Sequence, residues 1–288
     1  MIYGDKNTGI IVTGATGKQG AFHIALMNDY ARQVGGRGVV AGVSPGKAGQ
    51  EVHGVPVYNS IRDALREQDA SVSVVFVPAA AAGDSIMEAA SAGLSLVVAI
   101  TEHIPVHDSM QAIAYARLND CVVIGPNCPG LLSPSEIKLG IMPVHLSSRG
   151  HIGVISRSGT LTYEIVDQLS RAGLGQSTIV GIGGDPVIGQ TFTDVLQRFK
   201  EDDKTKAVVL IGEVGGSLEE EGARSTNIPI AAYIAGISAP PEKRMGHAGA
   251  IIEGGEGDAR SKIERLRAMD VPVASRPSEI PTFIKKLI

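Results

Sequence analysis

One histidine stands in a loop of small residues that gives it no evident structural task. His247 lies in RMGHAGAI, residues 244–251, with no histidine, cysteine or carboxylate within a helical turn to share a metal ion. A neutral imidazole is a competent nucleophile in phosphoryl transfer, and Gly246, Ala248 and Gly249 leave space around it. The loop therefore predicts a histidine that carries a phosphoryl group. The alternative is a histidine that hydrogen-bonds or contributes to a minor metal site.

Two polar segments are candidates for the site around this histidine. One offers the positive helix end that a phosphohistidine needs, and the other offers a carboxylate. In SRSGT, residues 156–160, free N–H groups, hydroxyls of Ser158 and Thr160 and a helix dipole can together bind a phosphoryl group without metal. The alternative is an ordinary helix N-cap. Glu213 ends a predicted strand and can hydrogen-bond one imidazole nitrogen. Its alternative role is to stabilise the start of the next helix.

A glycine-rich turn near the N-terminus indicates a second anion site. GATGKQG, residues 14–20, lies between a predicted strand and helix, where backbone N–H groups can approach a phosphate. An NAD site calls for a carboxylate about 20 residues further on. The chain has AGVSPGKAG there, residues 41–49, and Lys47 favours a ligand with an extra phosphate, such as NADP or coenzyme A. A tight turn beside a solvated lysine is the alternative.

The elements that must position these groups alternate between strand and helix. Strands are predicted at residues 9–14, 38–43, 73–78, 94–100 and 121–125, then at 151–156, 178–183, 207–213, 229–236 and 271–275. Helices are predicted at residues 21–34, 61–68, 81–93 and 107–120, then at 161–173, 191–202, 217–225 and 259–270. Such alternation is typical of α/β domains with doubly wound parallel sheets. Residues 126–150 show no clear period and are interpreted as the crossover between two domains.

Composition narrows the function classes. The 288 residues carry a formal net charge of −4, which argues against a nucleic-acid partner. Two cysteines are too few for a disulfide framework or a structural zinc site, so no metal site is expected. No signal peptide is recognised, and no apolar run approaches the roughly 20 residues of a membrane span. We expect a cytoplasmic protein, or the processed form of an organellar one, that does not bind membranes.

Together the motifs resemble the alpha subunits of succinate–CoA ligase (succinyl-CoA synthetase). The resemblance rests on GATGKQG-AFH, GVSPGKAG, GPNCPG, SRSGTLTYE, IGEVGGS and RMGHAGAII, which run in family order along nearly the whole chain. It implies a Rossmann-like CoA-binding domain, residues 1–128, followed by a flavodoxin-like doubly wound domain, residues 129–288, that bears the phosphohistidine.

The resemblance also implies roles for individual residues. His247 would be the phosphorylated catalytic residue and Glu213 its support. Coenzyme A would bind through Thr16, Gly17, Lys18, Gln19, Lys47, Ile100, Thr101 and Glu102. The acyl end of CoA, the substrate and phosphate would bind near Asn127, Cys128, Ser158, Gly159, Thr160 and Tyr163. Succinyl-CoA and phosphate would give succinyl phosphate, whose phosphoryl group passes to His247 and then to ADP or GDP.

The family pattern further implies a partner. The sequence has no G-x-x-x-x-G-K-[ST] motif and no acidic pair suited to Mg²⁺. A beta subunit would supply the ATP or GTP site and the Mg²⁺ in a heterodimer or heterotetramer. Three alternatives stay open: a malate–CoA ligase alpha subunit, an NADP-dependent Rossmann oxidoreductase and a non-catalytic CoA-binding regulator.

Overall fold

A computed structural model describes residues 2–237, 247, 249–250 and 257–288. The chain forms two compact units. The N-terminal unit comprises Tyr3–Met142 with Val187–Gly189, and the C-terminal unit includes Pro143–Pro186 and Gln190–Ile288. The units thus divide after Met142, within the segment 126–150 interpreted as the crossover, whereas the family resemblance implied a boundary after residue 128.

The N-terminal unit is built on a mostly parallel sheet. Its strands are β1 (Ile10–Thr13), β2 (Val39–Val43), β3 (Glu51–Val52), β4 (Val55–Tyr58), β5 (Val72–Val75), β6 (Leu96–Ala99) and β7 (Val122–Ile124). They lie in the order β3-β4-β2-β1-β5-β6-β7, and the β3–β4 pair is antiparallel. Without the short β3, this is the 3-2-1-4-5-6 order of Rossmann sheets, as predicted.

Helices pack on this sheet, and its central strands are buried along their whole length. Every residue of β1, β5 and β6 is buried, which is the pattern of strands covered on both faces. The helices are α1 (Lys18–Val34), α2 (Ile61–Ala64), α3 (Ala79–Ser91) and α4 (Val106–Leu118). Residues of α3 and α4, among them Ile86 and Ala112, share a buried cluster with Val97 of β6.

The segment predicted to be an irregular crossover contains a buried hairpin. Strands β8 (Gly130–Ser133) and β9 (Ile137–Gly140) pair antiparallel, and all their residues are buried. The Tyr30 hydroxyl on α1 donates to the Ser133 carbonyl at 3.4 Å and accepts from the Ser135 amide at 2.7 Å. These bonds join the hairpin to α1 of the N-terminal unit, to which its residues belong.

The C-terminal unit has a second parallel sheet. Its strands are β10 (Arg149–Ser156), β11 (Gln176–Gly181), β12 (Ala207–Glu213), β13 (Ile230–Ala235) and β14 (Val273–Ala274). Within this unit they run β14-β13-β12-β10-β11, which is the flavodoxin-like order 5-4-3-1-2. The helices are α5 (Gly159–Arg171), α6 (Phe192–Lys200), α7 (Leu218–Arg224), α8 (Ala259–Arg267) and α9 (Ile280–Leu287), with 3-10 turns at Val144–Leu146 and Pro277–Glu279. The sequence analysis did not predict α9.

Candidate functional site

His247 contacts the carboxylate that the sequence singled out. Its Nδ1 lies 2.8 Å from Oε2 and 3.0 Å from Oε1 of Glu213, the last residue of β12. Because Nδ1 is engaged, the hydrogen bond leaves Nε2 as the nitrogen available for chemistry. The ring is 28% exposed, whereas the Glu213 side chain is 9% exposed. The predicted hydrogen bond is therefore present, and the imidazole is the more exposed of its two partners.

Backbone contacts fix the residues around the ring. The His247 carbonyl accepts from the Ala250 amide at 3.1 Å, and the Gly249 amide donates to the Gly184 carbonyl at 3.0 Å. A Cβ at Gly184 would lie 2.3 Å from Cγ of His247, so the ring occupies the space that a side chain would need. Gly246 and Ala248 lie outside the described residues.

The charges around His247 act on its pKa in opposite directions. The hydrogen bond to Glu213 raises the pKa of His247, and burial of the ring lowers it. The negative charges of Glu213 and Asp185 also raise this pKa, whereas the nearby Arg157 guanidinium lowers it. The net result is a pKa above the usual 6.5.

The predicted phosphate segment forms the start of α5. Ser158 is its N-cap and accepts from the Leu161 amide at 3.4 Å, so the capping role is realised. Gly159 and Thr160 occupy the first turn, where amide N–H groups have no intrahelical partner. Tyr163 lies one turn further along and is partly exposed. Anion binding at this helix start stays a prediction.

Adjacent strands bring this helix start and Glu213 to one edge of the sheet. β10 and β12 pair in parallel, with Ser156 opposite Ile211. Arg157 follows β10 directly, and its Nη2 lies 3.5 Å from Oε1 of Glu213. Ligands of such sheets bind outside the carboxyl ends of the strands, where the strand order changes direction. In this sheet that point lies between β10 and β12.

A buried ionic network lies behind Glu213, and the sequence analysis did not anticipate it. Nη1 of Arg157 lies 3.5 Å from Oε1 of Glu219, and Glu219 pairs closely with Lys262 of α8. The side chains of Glu219 and Lys262 are fully buried. Glu219 belongs to the acidic run 219–221, and such a run is typical of a solvent-exposed helix start. The local sequence therefore gave no indication that Glu219 is buried.

The first glycine turn of the N-terminal unit is tight and requires glycine at two positions. Gly14 has φ +76°, and a Cβ at Gly20 would lie 2.2 Å from the Gly14 carbonyl oxygen, so both positions require glycine. The amide and hydroxyl of Thr16 donate to Oγ of Ser44 at 3.2 and 3.1 Å, which links the turn to the end of β2.

The residues after this turn face solvent at a helix start. Gly17 is the N-cap of α1, and no side chain caps the helix. Gly17, Lys18 and Gln19 are exposed together with Thr16. The positive end of the helix dipole is therefore accessible to an anion.

Lys47 stands on a loop held by a neighbouring asparagine. Oδ1 of Asn59 accepts from the Gly46 amide at 2.8 Å and from the Ala48 amide at 3.3 Å, on either side of Lys47. The lysine side chain itself is exposed. Its backbone is thus fixed while its ammonium group remains accessible.

The other residues assigned to CoA follow β6 and β7 of the same sheet. Ile100, Thr101 and Glu102 come directly after β6, and Oγ1 of Thr101 donates to the Val77 carbonyl at 2.8 Å. The Asn127 amide donates to the Thr101 carbonyl at 2.9 Å. Cys128 is buried, with Sγ 3.3 Å from the Ala99 carbonyl oxygen. These segments lie at the carboxyl edge that carries the glycine turn.

The described residues show neither a metal cluster nor a membrane-spanning helix. Within the part of the chain that the structure describes, no group of three or more His, Cys, Asp or Glu side chains is arranged to hold a metal ion. Among the same residues, no helix combines the length and apolar character that a membrane span requires.

Two family models match the chain. A CoA-binding domain model matches residues 5–103, and a CoA-ligase model matches residues 155–271. An ATP citrate lyase from Methanothrix soehngenii, solved with citrate and coenzyme A, superposes with a TM-score of 0.89 at 24% identity. The match covers 99% of this chain and 50% of that chain, and at this identity it shows the fold alone.

Full-length relatives are much closer in sequence. The "Succinate--CoA ligase [ADP-forming] subunit alpha" of Staphylococcus epidermidis is 53% identical over 287 residues, covering 98% of this chain and 93% of the relative. The "Succinate--CoA ligase [ADP-forming] subunit alpha 2" of Archaeoglobus fulgidus is 51% identical over 287 residues, covering 99% and 98%. The predicted family is thereby confirmed, and the chain belongs to the succinate–CoA ligase alpha subunits.

Proposed function

We propose that this chain is the alpha subunit of a succinate–CoA ligase, in which Nε2 of His247 carries a phosphoryl group between two substrates. The observation that carries the proposal is the 2.8 Å contact between Nδ1 of His247 and Glu213. It fixes one imidazole nitrogen, leaves the other accessible and places a carboxylate where it stabilises the ring once Nε2 is substituted.

The proposed reaction proceeds by three reversible displacements. A phosphate oxygen attacks the thioester carbon of succinyl-CoA; the C–O bond forms, the C–S bond breaks and the CoA thiolate takes up a proton. The Nε2 lone pair of His247 then attacks phosphorus, forming an N–P bond while succinate leaves with the electrons of the P–O bond. Finally a terminal oxygen of the nucleoside diphosphate attacks the same phosphorus, and the imidazole leaves.

The start of α5 supports the second displacement. Phosphohistidine carries negative charge, and Gly159 and Thr160 offer amide N–H groups at the positive end of a helix. Ser158 stabilises that end as the N-cap and offers a hydroxyl group beside it. Such preorganised donors stabilise developing charge without rearrangement during the reaction.

Coenzyme A is proposed to bind at the carboxyl edge of the N-terminal sheet. Its pyrophosphate fits the exposed turn at Thr16–Gln19, and Lys47 fits the additional 3′-phosphate. Asn127 and Cys128 follow β7 and are proposed to lie near the thioester. The match of residues 5–103 to a CoA-binding domain supports this arrangement.

The nucleotide is proposed to bind to a separate beta subunit, together with Mg²⁺. The term "subunit alpha" in the names of the relatives supports a second subunit, and "ADP-forming" favours ATP over GTP. The same names favour succinate over malate as the acid.

The decisive experiment is phosphorylation of the chain in the presence of its beta partner and γ-labelled ATP. We expect protein-bound label that is acid-labile and alkali-stable, that is absent from the His247→Asn variant and that succinate plus CoA discharges. Malate plus CoA serves as the matched acid. Label that persists in the Asn variant would remove His247 from the mechanism. Label that malate plus CoA discharges, but succinate plus CoA does not, would identify malate as the substrate.

A further inference from the structure

The carboxylate of Glu213 is shared between an imidazole and a guanidinium. It faces Nδ1 of His247 on one side, and its Oε1 lies 3.5 Å from Nη2 of Arg157 on the other. The Arg157 side chain is 4% exposed, so water screens this pair little. The negative charge that acts on the imidazole is therefore partly neutralised by a second, permanently charged group.

Arg157 is itself held in place from the opposite side. Its Nη1 donates to the Gly215 carbonyl at 3.2 Å and lies 3.5 Å from Oε1 of Glu219. The same Oε1 accepts from the Glu213 amide at 3.1 Å, and Lys262 pairs with the other oxygen of Glu219. Glu219 therefore fixes both the guanidinium that contacts Glu213 and the backbone of Glu213.

This arrangement is not explained by stability alone. The buried Nε of Arg157 has no hydrogen-bond partner among the described residues, and an unmet buried donor destabilises the folded state. A buried ion pair is also a weak source of stability compared with apolar side chains of similar volume. A charged group retained at this cost next to His247 calls for a role in the chemistry of the site.

We propose that Arg157 is a positioning residue, which acts through the Glu213 carboxylate and limits the negative charge that Nδ1 of His247 faces. The inference rests on the proposed phosphorylation of His247. A carboxylate alone would favour imidazolium, which has no lone pair on Nε2 to attack phosphorus. With Arg157 beside it, Glu213 can orient the ring while it favours the imidazolium form less strongly.

The sign of the effect follows from the charges that face the ring. Glu213 and Asp185 raise the pKa of His247, and Arg157 lowers it. Behind Arg157, the negative charges of Glu219 and Glu220 are opposed by Lys262 and by Arg265, which lies 3.8 Å from Glu220. Loss of the Arg157 charge should therefore raise the pKa of His247. Loss of the Glu219 charge should lower it, because Arg157 then acts on Glu213 alone.

The test is an NMR titration of the histidine side chains in the full chain, with the His247 signal identified from its loss in His247→Asn. Arg157→Gln should raise the pKa of His247 by about one unit, since a charge at this range commonly shifts a pKa by one unit or more. Arg157→Lys should restore much of the wild-type value, and Glu219→Gln should shift the pKa in the opposite direction. Arg265→Gln, the same change at the half-exposed end of the network, is the matched control and should leave the pKa in place.

The pH profile of His247 phosphorylation with the beta partner gives a second readout. Its rising limb should move to higher pH in Arg157→Gln, with a loss that approaches about tenfold at pH values below the wild-type pKa. The inference would be overturned if Arg157→Gln folds and leaves both the pKa of His247 and the pH profile unchanged. If Arg157→Gln does not fold, an unshifted or raised pKa of His247 in Glu219→Gln would overturn it. A wild-type chain that is never phosphorylated would refute the proposed function, while the NMR titration would still test the position of Arg157.

Discussion

At the level of single residues, the imidazole of His247 is positioned by a contact and by the absence of a side chain on a neighbouring glycine. Glu213 engages Nδ1, and Gly184 leaves the space into which the ring fits. The loop sequence pointed to His247, and the end of a strand pointed to Glu213, because both are visible in a local pattern. Arg157 and Gly184 were missed, since their importance depends on contacts with residues far away in the sequence.

Gly184→Ala should displace the His247 ring. The added Cβ would lie 2.3 Å from Cγ of the imidazole, which is well inside the distance that atoms tolerate. A shift of about 1 Å in a reacting group can cost about a hundredfold in rate. We therefore expect a loss of that order in the initial rate of His247 phosphorylation, measured with the beta partner and labelled ATP.

Gly83→Ala is the matched control for this substitution. Gly83 lies within α3, and a Cβ there would meet nothing closer than 3.6 Å. This variant should be phosphorylated at the wild-type rate. Wild-type rates in folded Gly184→Ala as well would mean that the ring does not react from the position described.

At the level of elements, the carboxyl ends of parallel strands collect the residues of both candidate sites. The strand and helix alternation was predicted from the apolar pattern, because strands buried on both faces are apolar throughout. The β8–β9 hairpin was missed because its short strands lie between glycines and prolines and show no alternation. Asn59 was missed too, since its function is to hold the loop around Lys47 through backbone amides.

Lys47→Met should weaken CoA binding selectively. The loop backbone is held by Asn59 and should keep its shape, so the substitution removes the ammonium group and little else. A charge-assisted contact to phosphate is worth about 1.5–3 kcal/mol, and we expect a loss of about tenfold or more in CoA affinity by calorimetry. Dephospho-CoA, which lacks the 3′-phosphate, should bind the variant and the wild type alike. An equal loss for both ligands would assign Lys47 to another part of CoA.

At the level of the whole molecule, the chain combines two α/β units with different strand orders. One carries the predicted CoA segments and the other carries His247, whereas neither shows a metal cluster among the described residues. The family resemblance of the sequence predicted both strand orders. It did not fix the point of division, because that depends on contacts between residues that are distant in the sequence, such as those of Tyr30 with the hairpin.

The isolated chain should bind CoA without being phosphorylated by ATP. It lacks a Walker-type sequence, and the described residues offer no metal cluster, so labelled ATP and Mg²⁺ alone should leave His247 unmodified. Addition of the beta subunit should restore labelling. Labelling of the chain alone at a comparable rate would mean that this chain contains its own nucleotide site.

The buried contacts among Arg157, Glu219 and Lys262 also bear on how this family can diverge. Glu219 pairs with both Arg157 and Lys262, so a mutation of Glu219 leaves two buried cations without this partner, at a cost of about 3–5 kcal/mol. The three positions should consequently covary among homologues, whereas residues of the surrounding surface should vary independently. A lineage that lost one member would be expected to have acquired a compensating replacement at another.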